Sequence, residues 1–224
     1  MFVNKVKKKT KNKSFLVIGL GRFGSSFSRH ASLLGCEVVA VDEDEHKATA
    51  LVDEVTEALS GNIHDEDFLR SLGVEDFDAV VVAIGYDIES SVLITTLVKD
   101  LGAKFVAAKA SQELHEKILN RIGADWVIFP EKETGKKVAL SLYSNIIDSM
   151  ELSADFKFLE LKVLNDWIGK KLSEIEFFTT KHLMLVAVKR GSEILLNKND
   201  DFVFNEDDIV VICGHNKFLL EVIN

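Results

Sequence analysis

The stretch FLVIGLGRFG, from Phe15 to Gly24, predicts the fold of the first half of this chain. It opens with a short apolar run rich in β-branched side chains, which is typical of a buried strand. Gly19, Gly21 and Gly24 then have the spacing G-x-G-x-x-G, at the point where a strand would give way to a helix. In this pattern the first glycine permits a tight turn, the second admits a pyrophosphate, and the third lets the helix approach the strand. The stretch therefore predicts a nucleotide-binding Rossmann unit.

The residues that follow support this prediction. A second apolar run, EVVAVDE from Glu37 to Glu43, is typical of the next strand, and Asp42 lies at its end. An acid at this position of a Rossmann unit accepts hydrogen bonds from ribose hydroxyls and would repel the 2′-phosphate of NADP. Arg22 stands directly after Gly21, where we expect its guanidinium to pair with a terminal phosphate. The alternative is a solvent-facing arginine in the first helical turn.

Strand-like and helix-like segments alternate as far as about residue 132, and this alternation predicts a six-stranded parallel sheet in Rossmann order. Lys109 follows the fifth predicted strand, at the carboxyl edge where open α/β sheets bind their ligands. Glu131 follows the sixth predicted strand. Its carboxylate either stabilises the first turn of the next helix or lies near phosphates through a bridging divalent cation.

The second half of the chain predicts a long helix and a separate small domain. The helix is expected from Glu133 to Met150, with one broad apolar face made of Val138, Leu142, Tyr143, Ile146 and Ile147. This face packs either on the chain's own sheet or on a second subunit. We therefore expect a doubly wound α/β sheet, a crossover helix with its linker, and a small α+β C-terminal lobe. The corresponding boundaries are 1–13 for a basic flexible tail, then 14–132, 133–154 and 155–224.

Composition limits the classes of function. The chain of 224 residues has a formal net charge of −9, which argues against a general nucleic-acid binder. Two distant cysteines, Cys36 and Cys213, are typical of a reduced, cytoplasmic setting. No apolar run reaches the ~20 residues that a membrane helix needs. The N-terminal lysines form either a solvated tail or a segment attracted to anionic lipid or to a membrane partner; they are Lys5, Lys7, Lys8, Lys9, Lys11 and Lys13.

The sequence contains no recognisable catalytic constellation. Its histidines lack ligand spacing and are interpreted as surface or helix-packing residues: His30, His46, His64, His115, His182 and His215. The pattern therefore favours a sensor of nucleotide that is not an enzyme. One alternative is an NAD-dependent oxidoreductase, which needs a substrate domain with an acid–base group. Another is a Rossmann redox sensor that represses transcription, which needs a basic DNA-binding domain.

Four segments together resemble a known family. VIGLGRFG, VVAVDEDEHK, VVVAIG and IGADWVIFPEKETG are similar to the cytosolic RCK-type regulatory subunits of bacterial potassium uptake systems, the KtrA/TrkA family. The Ktr branch is more similar than the Trk branch. The resemblance covers nearly all of the chain after the basic tail. It implies an RCK-N (TrkA-N) Rossmann domain followed by an RCK-C (TrkA-C) domain, in a protein that gates potassium transport without being an enzyme.

The resemblance also implies a role for individual residues. Arg22 matches the arginine that meets the γ-phosphate of ATP. Glu131 matches an acid linked to a divalent cation, Mg²⁺ or Ca²⁺, beside ATP at a subunit interface. ATP and ADP are the implied ligands, and some members bind NAD(H). The nucleotide-binding positions are Gly19, Gly21, Arg22, Phe23, Gly24, Asp42, Glu43, Lys47, Gly61, Asn62, Ala83, Ile84, Gly85, Lys109 and Glu131.

The same resemblance implies an assembly. Family members form homodimers that build an octameric ring beneath an integral-membrane potassium transporter subunit of the KtrB or TrkH type, on the inner face of the cell membrane. Some related C-terminal lobes bind cyclic di-AMP between two subunits through an arginine and a proline. Here 177–181 contains no arginine and 197–199 contains no proline, which argues against cyclic di-AMP as a ligand.

Overall fold

The structure of this protein is a computed structural model that describes residues 12–180, 182–196 and 199–223. The chain divides into two compact units, one ending at Glu131 and the other beginning at Lys132. Most of the lysine-rich segment, up to residue 11, lies outside the described residues, as do Lys181, Asn197 and Lys198 of the two C-terminal segments discussed above. Within the described residues, no helix is both long enough and apolar enough to cross a membrane.

The first unit is a doubly wound α/β domain. Its six strands run parallel in the order β3-β2-β1-β4-β5-β6. The strands are β1 (Ser14–Ile18), β2 (Glu37–Asp42), β3 (Glu57–Ser60), β4 (Ala79–Val82), β5 (Val106–Lys109) and β6 (Trp126–Ile128). The helices between them are α1 (Arg22–Leu33), α2 (Glu45–Thr49), α3 (Glu66–Ser71), α4 (Ile88–Asp100) and α5 (Glu113–Arg121), with a 3₁₀ turn at Val74–Asp76. The predicted six-stranded Rossmann order is confirmed.

The sheet has a core on both faces because successive residues of a strand point to opposite sides. Val17 of β1 packs in one cluster with Ala31 of α1. Its neighbour Leu16 packs in the other cluster with Ile94 of α4 and Leu119 of α5. Since both faces are covered, the strands are continuously apolar, as parallel sheets require. The direction of winding reverses between β1 and β4, and their carboxyl ends open the crevice that holds ligands in such folds.

The second unit contains an antiparallel sheet in the order β10-β9-β11-β8-β7. Helix α6 (Pro130–Tyr143) leads into it and starts at a proline, which suits a first helical turn. The strands are β7 (Ile146–Glu151), β8 (Phe156–Lys162), β9 (Leu183–Arg190), β10 (Glu193–Leu196) and β11 (Ile209–His215). The remaining elements are α7 (Glu176–Thr179), α8 (Asn216–Ile223) and 3₁₀ turns at Asn165–Trp167 and Leu172–Glu174. The small α+β C-terminal lobe expected from the sequence is confirmed.

The predicted helix from 133 to 150 is wrong in its second part. Helix α6 ends at Tyr143, and residues 146–151 form β7 instead. The Ser144 hydroxyl bonds back to the carbonyl of Leu140, and the carbonyl of Asn145 accepts from the N–H of Lys162 in the neighbouring strand. Ile146 is therefore buried in the core of the sheet and does not belong to the helix face. Pairing with β8, the next strand of the chain, outweighs the helical spacing of the apolar residues.

One histidine is buried between helices of the first unit. His115 on α5 is fully enclosed, its Nδ1 accepts from the N–H of Ser111 at 3.3 Å, and its Nε2 lies 3.2 Å from the Ser91 hydroxyl of α4. Burial lowers the pKa of His115 below its usual value, so the native ring is neutral. The expectation that this histidine packs between helices is in accord with its position.

This burial predicts acid sensitivity of folding. The unfolded chain takes up a proton on His115 below about pH 6.5, whereas the native ring resists it, so the free energy of unfolding should fall as the pH falls below that value. His115→Gln should reduce this pH dependence, and the exposed His46→Gln should leave it unchanged. Urea unfolding of the three proteins between about pH 7.5 and pH 5.5 measures the effect. Equal slopes for wild type and His115→Gln would contradict the assignment.

Candidate functional site

Two adjoining cavities open at the carboxyl edge of the parallel sheet. The first has a volume of about 270 Å³ and the second about 460 Å³. They share Gly21, Ala83, Gly85 and Tyr86 on their walls, so they form one continuous cleft. The first is lined in addition by Gly19, Asp42, Glu43, Lys47, Ile63, His64, Ile84, Asp87 and Ser90. The second is lined in addition by Arg22, Phe23, Ser26, Lys109, Pro130 and Glu131.

The glycine loop forms the floor of this cleft. Gly19 has φ +93°, a left-handed conformation that favours glycine. Gly21 is the N-cap residue of α1 and borders both cavities. A helix start carries N–H groups without helical partners and a partial positive charge, which together favour an anion. The loop therefore offers phosphate-binding chemistry at the junction of the two cavities.

Asp42 is the acidic centre of the first cavity. It is only 6% exposed, and its carboxylate accepts from the N–H of Leu20 at 2.6 Å and from the N–H of Asp44 at 2.9 Å. The Lys47 ammonium lies 3.2 Å from the same carboxylate. The two backbone donors hold the carboxylate in place, whereas the half-exposed lysine is a mobile partner of small net energy. Hydroxyl groups of a ribose would find here an oriented, charged acceptor.

Three charged side chains face the second cavity, and two of them form an ion pair. The Lys109 ammonium donates to Glu131 Oε1 at 2.8 Å, and this contact holds the pKa of Glu131 below its usual value. The Arg22 guanidinium donates to the Tyr86 hydroxyl at 2.9 Å and acts on Glu131 through its charge. Gly85 admits Lys109, since a Cβ at that position would lie 3.2 Å from the ammonium nitrogen. Two cations and one acid thus meet beside the helix start.

Glu131 alone does not make a metal site. Among the described residues, no group of three or more His, Cys, Asp or Glu side chains could hold a metal ion. Glu131 lies in the first turn of α6 and offers one carboxylate, which is already paired with Lys109. The described residues around Glu131 therefore do not by themselves fit a divalent cation, which would need phosphate oxygens or further ligands.

Most of the predicted binding residues line the cleft, but three do not. Gly24 packs inside the fold, where a Cβ would lie only 1.9 Å from the Gly19 carbonyl oxygen. A Cβ on Gly61 would meet the ring of Phe68 at 2.3 Å. The side chain of Asn62 accepts from the N–H of His64 and shapes the loop after β3. These three residues hold the walls of the cleft in place without lining it.

Several cleft residues were not predicted from the sequence. They are Ser26, Ile63, His64, Tyr86, Asp87, Ser90 and Pro130. His64 was interpreted as a surface or packing residue, and the structure places it in the wall of the first cavity. Ile63 and His64 follow the carboxyl end of β3, and Tyr86 and Asp87 follow that of β4. The rule that ligands bind at the carboxyl ends of parallel strands is the signal that could have found them.

Comparisons with known proteins agree with this architecture. Residues 15–130 match the TrkA-N domain family, and residues 158–223 match the TrkA-C domain family. The chain is 38% identical to Ktr system potassium uptake protein A of Bacillus subtilis, over 92% of this chain and 94% of that protein. It is 36% identical to Ktr system potassium uptake protein C of the same organism, over 90% of this chain and 92% of that protein. For Ktr system potassium uptake protein A of Vibrio alginolyticus the identity is 31%, over 92% and 94%.

Solved structures share the fold at lower identity. The crystal structure of the GsuK RCK domain superposes with a TM-score of 0.68 and 17% identity, over 96% of this chain and 47% of that one. The GsuK channel bound to NAD superposes with a TM-score of 0.66 and 16% identity, over 93% of this chain and 38% of that one. This chain therefore spans less than half of either structure. With both domain families matched in order and Ktr relatives aligned over nine-tenths of their length, the chain belongs to the Ktr family of potassium uptake proteins, built from a TrkA-N and a TrkA-C domain.

Proposed function

We propose that this chain is a nucleotide-sensing regulatory subunit of a potassium uptake system and is not an enzyme. It would act in the cytoplasm, held at the inner face of the membrane by an integral-membrane transporter subunit. The observation that carries the proposal is a glycine loop at a helix start and an oriented acid in one cleft, in a chain 36% to 38% identical to Ktr potassium uptake proteins.

The cleft supports a nucleotide as the regulatory ligand. Its first cavity offers the Asp42 carboxylate to a ribose, and its second offers Arg22 and Lys109 to phosphates. ATP and ADP fit this division of charge, and NAD(H) is the alternative because its pyrophosphate could occupy the same loop. A related fold, that of the GsuK channel, has been solved with NAD bound.

An oxidoreductase is not favoured. Such an enzyme needs a substrate domain beside the nicotinamide. The second unit instead matches the TrkA-C domain family, and the relatives aligned along the whole chain are named for potassium uptake. The cleft would therefore report which nucleotide is bound, through the different contacts that each nucleotide makes.

We further propose that the second cavity distinguishes ATP from ADP. A γ-phosphate lying past the glycine loop would meet Arg22 and Lys109, and it would compete with Glu131 for the lysine. A divalent cation bridging Glu131 and the phosphate would remove the repulsion between the two anions. ADP lacks the group on which these contacts depend.

The first prediction from this proposal concerns the ribose. In Asp42→Asn one oxygen can still accept from the N–H of Leu20, but the charged acceptor is lost. A hydrogen bond to a charged group contributes about 1.5–3 kcal/mol, so affinity for ATP and ADP should fall roughly ten- to a hundredfold. Calorimetric titration of the purified protein measures this loss.

The matched control is Asp44→Asn, which changes a neighbouring acid that caps α2 and is not on the cavity wall. It should bind nucleotide as the wild type does. Rubidium uptake by cells that also express a Ktr membrane subunit tests the proposed function itself: Asp42→Asn should lose nucleotide-dependent uptake, and Asp44→Asn should keep it. Full nucleotide-dependent uptake by a folded Asp42→Asn protein would refute a regulatory role for this cleft.

A second prediction concerns the γ-phosphate. Arg22→Ala should weaken ATP more than ADP, because the guanidinium is expected to contact only the additional phosphate. Glu131→Gln should abolish any enhancement of ATP binding by Mg²⁺ or Ca²⁺ and leave ADP almost unchanged. Both variants are titrated with both nucleotides, with and without the cation. Equal losses for ATP and ADP in Arg22→Ala would make Arg22 a general phosphate contact.

A third proposal concerns assembly. Val138, Leu142 and Tyr143 of α6 are 51%, 84% and 83% exposed, which is unusual for large apolar side chains on one helix. We propose that they pack on a second copy of the chain in a homodimer, which is the building block of an octameric ring. Ile146 and Ile147, predicted from the sequence to share this face, are on β7.

Light scattering checks this proposal. The wild type should have the mass of a dimer or a larger ring, and the double variant Leu142→Glu, Tyr143→Glu should shift towards the monomer because buried charges oppose association. Leu33→Glu is the control, since Leu33 on α1 is also 83% exposed but lies outside α6. A wild-type protein that is monomeric at working concentrations would rule out the interface.

A further inference from the structure

A chain of hydrogen bonds crosses the wall of the first cavity and joins three loops. Glu43 Oε1, after β2, lies 2.9 Å from Nδ1 of His64, which follows β3. Nε2 of the same ring lies 2.7 Å from the hydroxyl of Ser90 in α4. Ser90 in turn donates to Asp87 Oδ2 at 2.6 Å. All four side chains line the cavity that contains Asp42.

The donors and acceptors of this chain determine where its protons lie. An ionised carboxylate only accepts, so Nδ1 of His64 must carry a hydrogen to bond Glu43. Asp87 also accepts from the N–H of Ser90, at 3.0 Å, and the serine hydroxyl bond holds the pKa of Asp87 below its usual value. The hydroxyl hydrogen of Ser90 therefore points to Asp87, and its oxygen accepts from Nε2. A ring that makes both of these contacts while Ser90 donates to Asp87 has to donate from both nitrogens.

We propose that His64 is a positioning residue whose protonated, doubly donating ring closes the wall of the nucleotide cavity and makes nucleotide binding depend on a proton. This inference rests on the proposed nucleotide-binding function. It adds that binding is tighter when His64 is an imidazolium. A neutral ring brings one hydrogen instead of two, so the three contacts Glu43–His64, His64–Ser90 and Ser90–Asp87 share only two hydrogens and one contact is lost.

The charges on the cavity wall also favour nucleotide binding when His64 is protonated. The ionisable groups on this cavity wall are Asp42 and Glu43 at and after the end of β2, Lys47 on α2 and Asp87 at the start of α4. Asp65 directly follows His64 in the loop after β3. Three carboxylates and one lysine on the wall would repel an anionic nucleotide. The imidazolium offsets part of this repulsion, and its loss restores it.

The first test is calorimetric titration of ATP, ADP and NAD into wild type, His64→Gln and the control His46→Gln, from about pH 6 to about pH 9. The affinity of the wild type and of the control should fall on the order of tenfold as His64 loses its proton. His64→Gln should keep only the dependence that comes from the phosphates of ATP and ADP, and none with NAD. The same pH profile in His64→Gln and wild type would overturn the inference.

The second test needs no nucleotide. Long-range ¹H–¹⁵N spectra of the histidines, with the His64 signal identified from its loss in His64→Gln, should show two protonated nitrogens near neutral pH. An unprotonated ring nitrogen on His64 near neutral pH would overturn the inference even if nucleotide binds. If instead His64 is doubly protonated and no nucleotide binds at any pH, the proposed function fails, and with it the proton-linked binding inferred here.

Discussion

Helix α1 lies very close to the end of β1, and the cleft depends on this close approach. A Cβ on Gly24 would lie 1.9 Å from the carbonyl oxygen of Gly19 and 3.1 Å from the side chain of Ala83 in the loop after β4. No other amino acid fits without moving backbone atoms. Because the helix lies so close, its N-terminus opens into the crevice between β1 and β4. The geometry that packs the core therefore also points the helix start into the cleft.

This contact explains why the fold was so well predicted from sequence. The glycine spacing is local, and a right-handed crossover leaves few arrangements for a strand–helix alternation of this length. The end of α6 was not predictable in the same way. Ile146 fits a helical stripe and a strand equally well, and its pairing with Leu161 of β8 decides between them. Such pairing depends on a partner 15 positions along the chain, which the helical spacing of the apolar residues does not describe.

The same distinction applies to the cleft. Residues within a motif, such as Gly21 and Asp42, were identified because one stretch of chain carries both their spacing and their chemistry. His64 was not, because its partners Glu43 and Ser90 are 21 and 26 residues away. A lone histidine belongs to no sequence motif, and its contacts exist only where three loops meet. His115 differs from it, because burial lowers the pKa of His115, whereas His64 lies on the wall of the first cavity.

The two ends of the cleft differ in how firmly their charges are held. Backbone N–H groups fix the carboxylate of Asp42, so the end where we propose that ribose binds is organised without a ligand. At the end proposed for the phosphates, Arg22 is held by a tyrosine hydroxyl and Lys109 by Glu131, contacts that an anion can replace. In the proposed binding mode, the rigid end would bind every nucleotide that carries a ribose. The replaceable contacts would differ between nucleotides with different phosphates, and a sensor needs that difference in order to favour one shape over another.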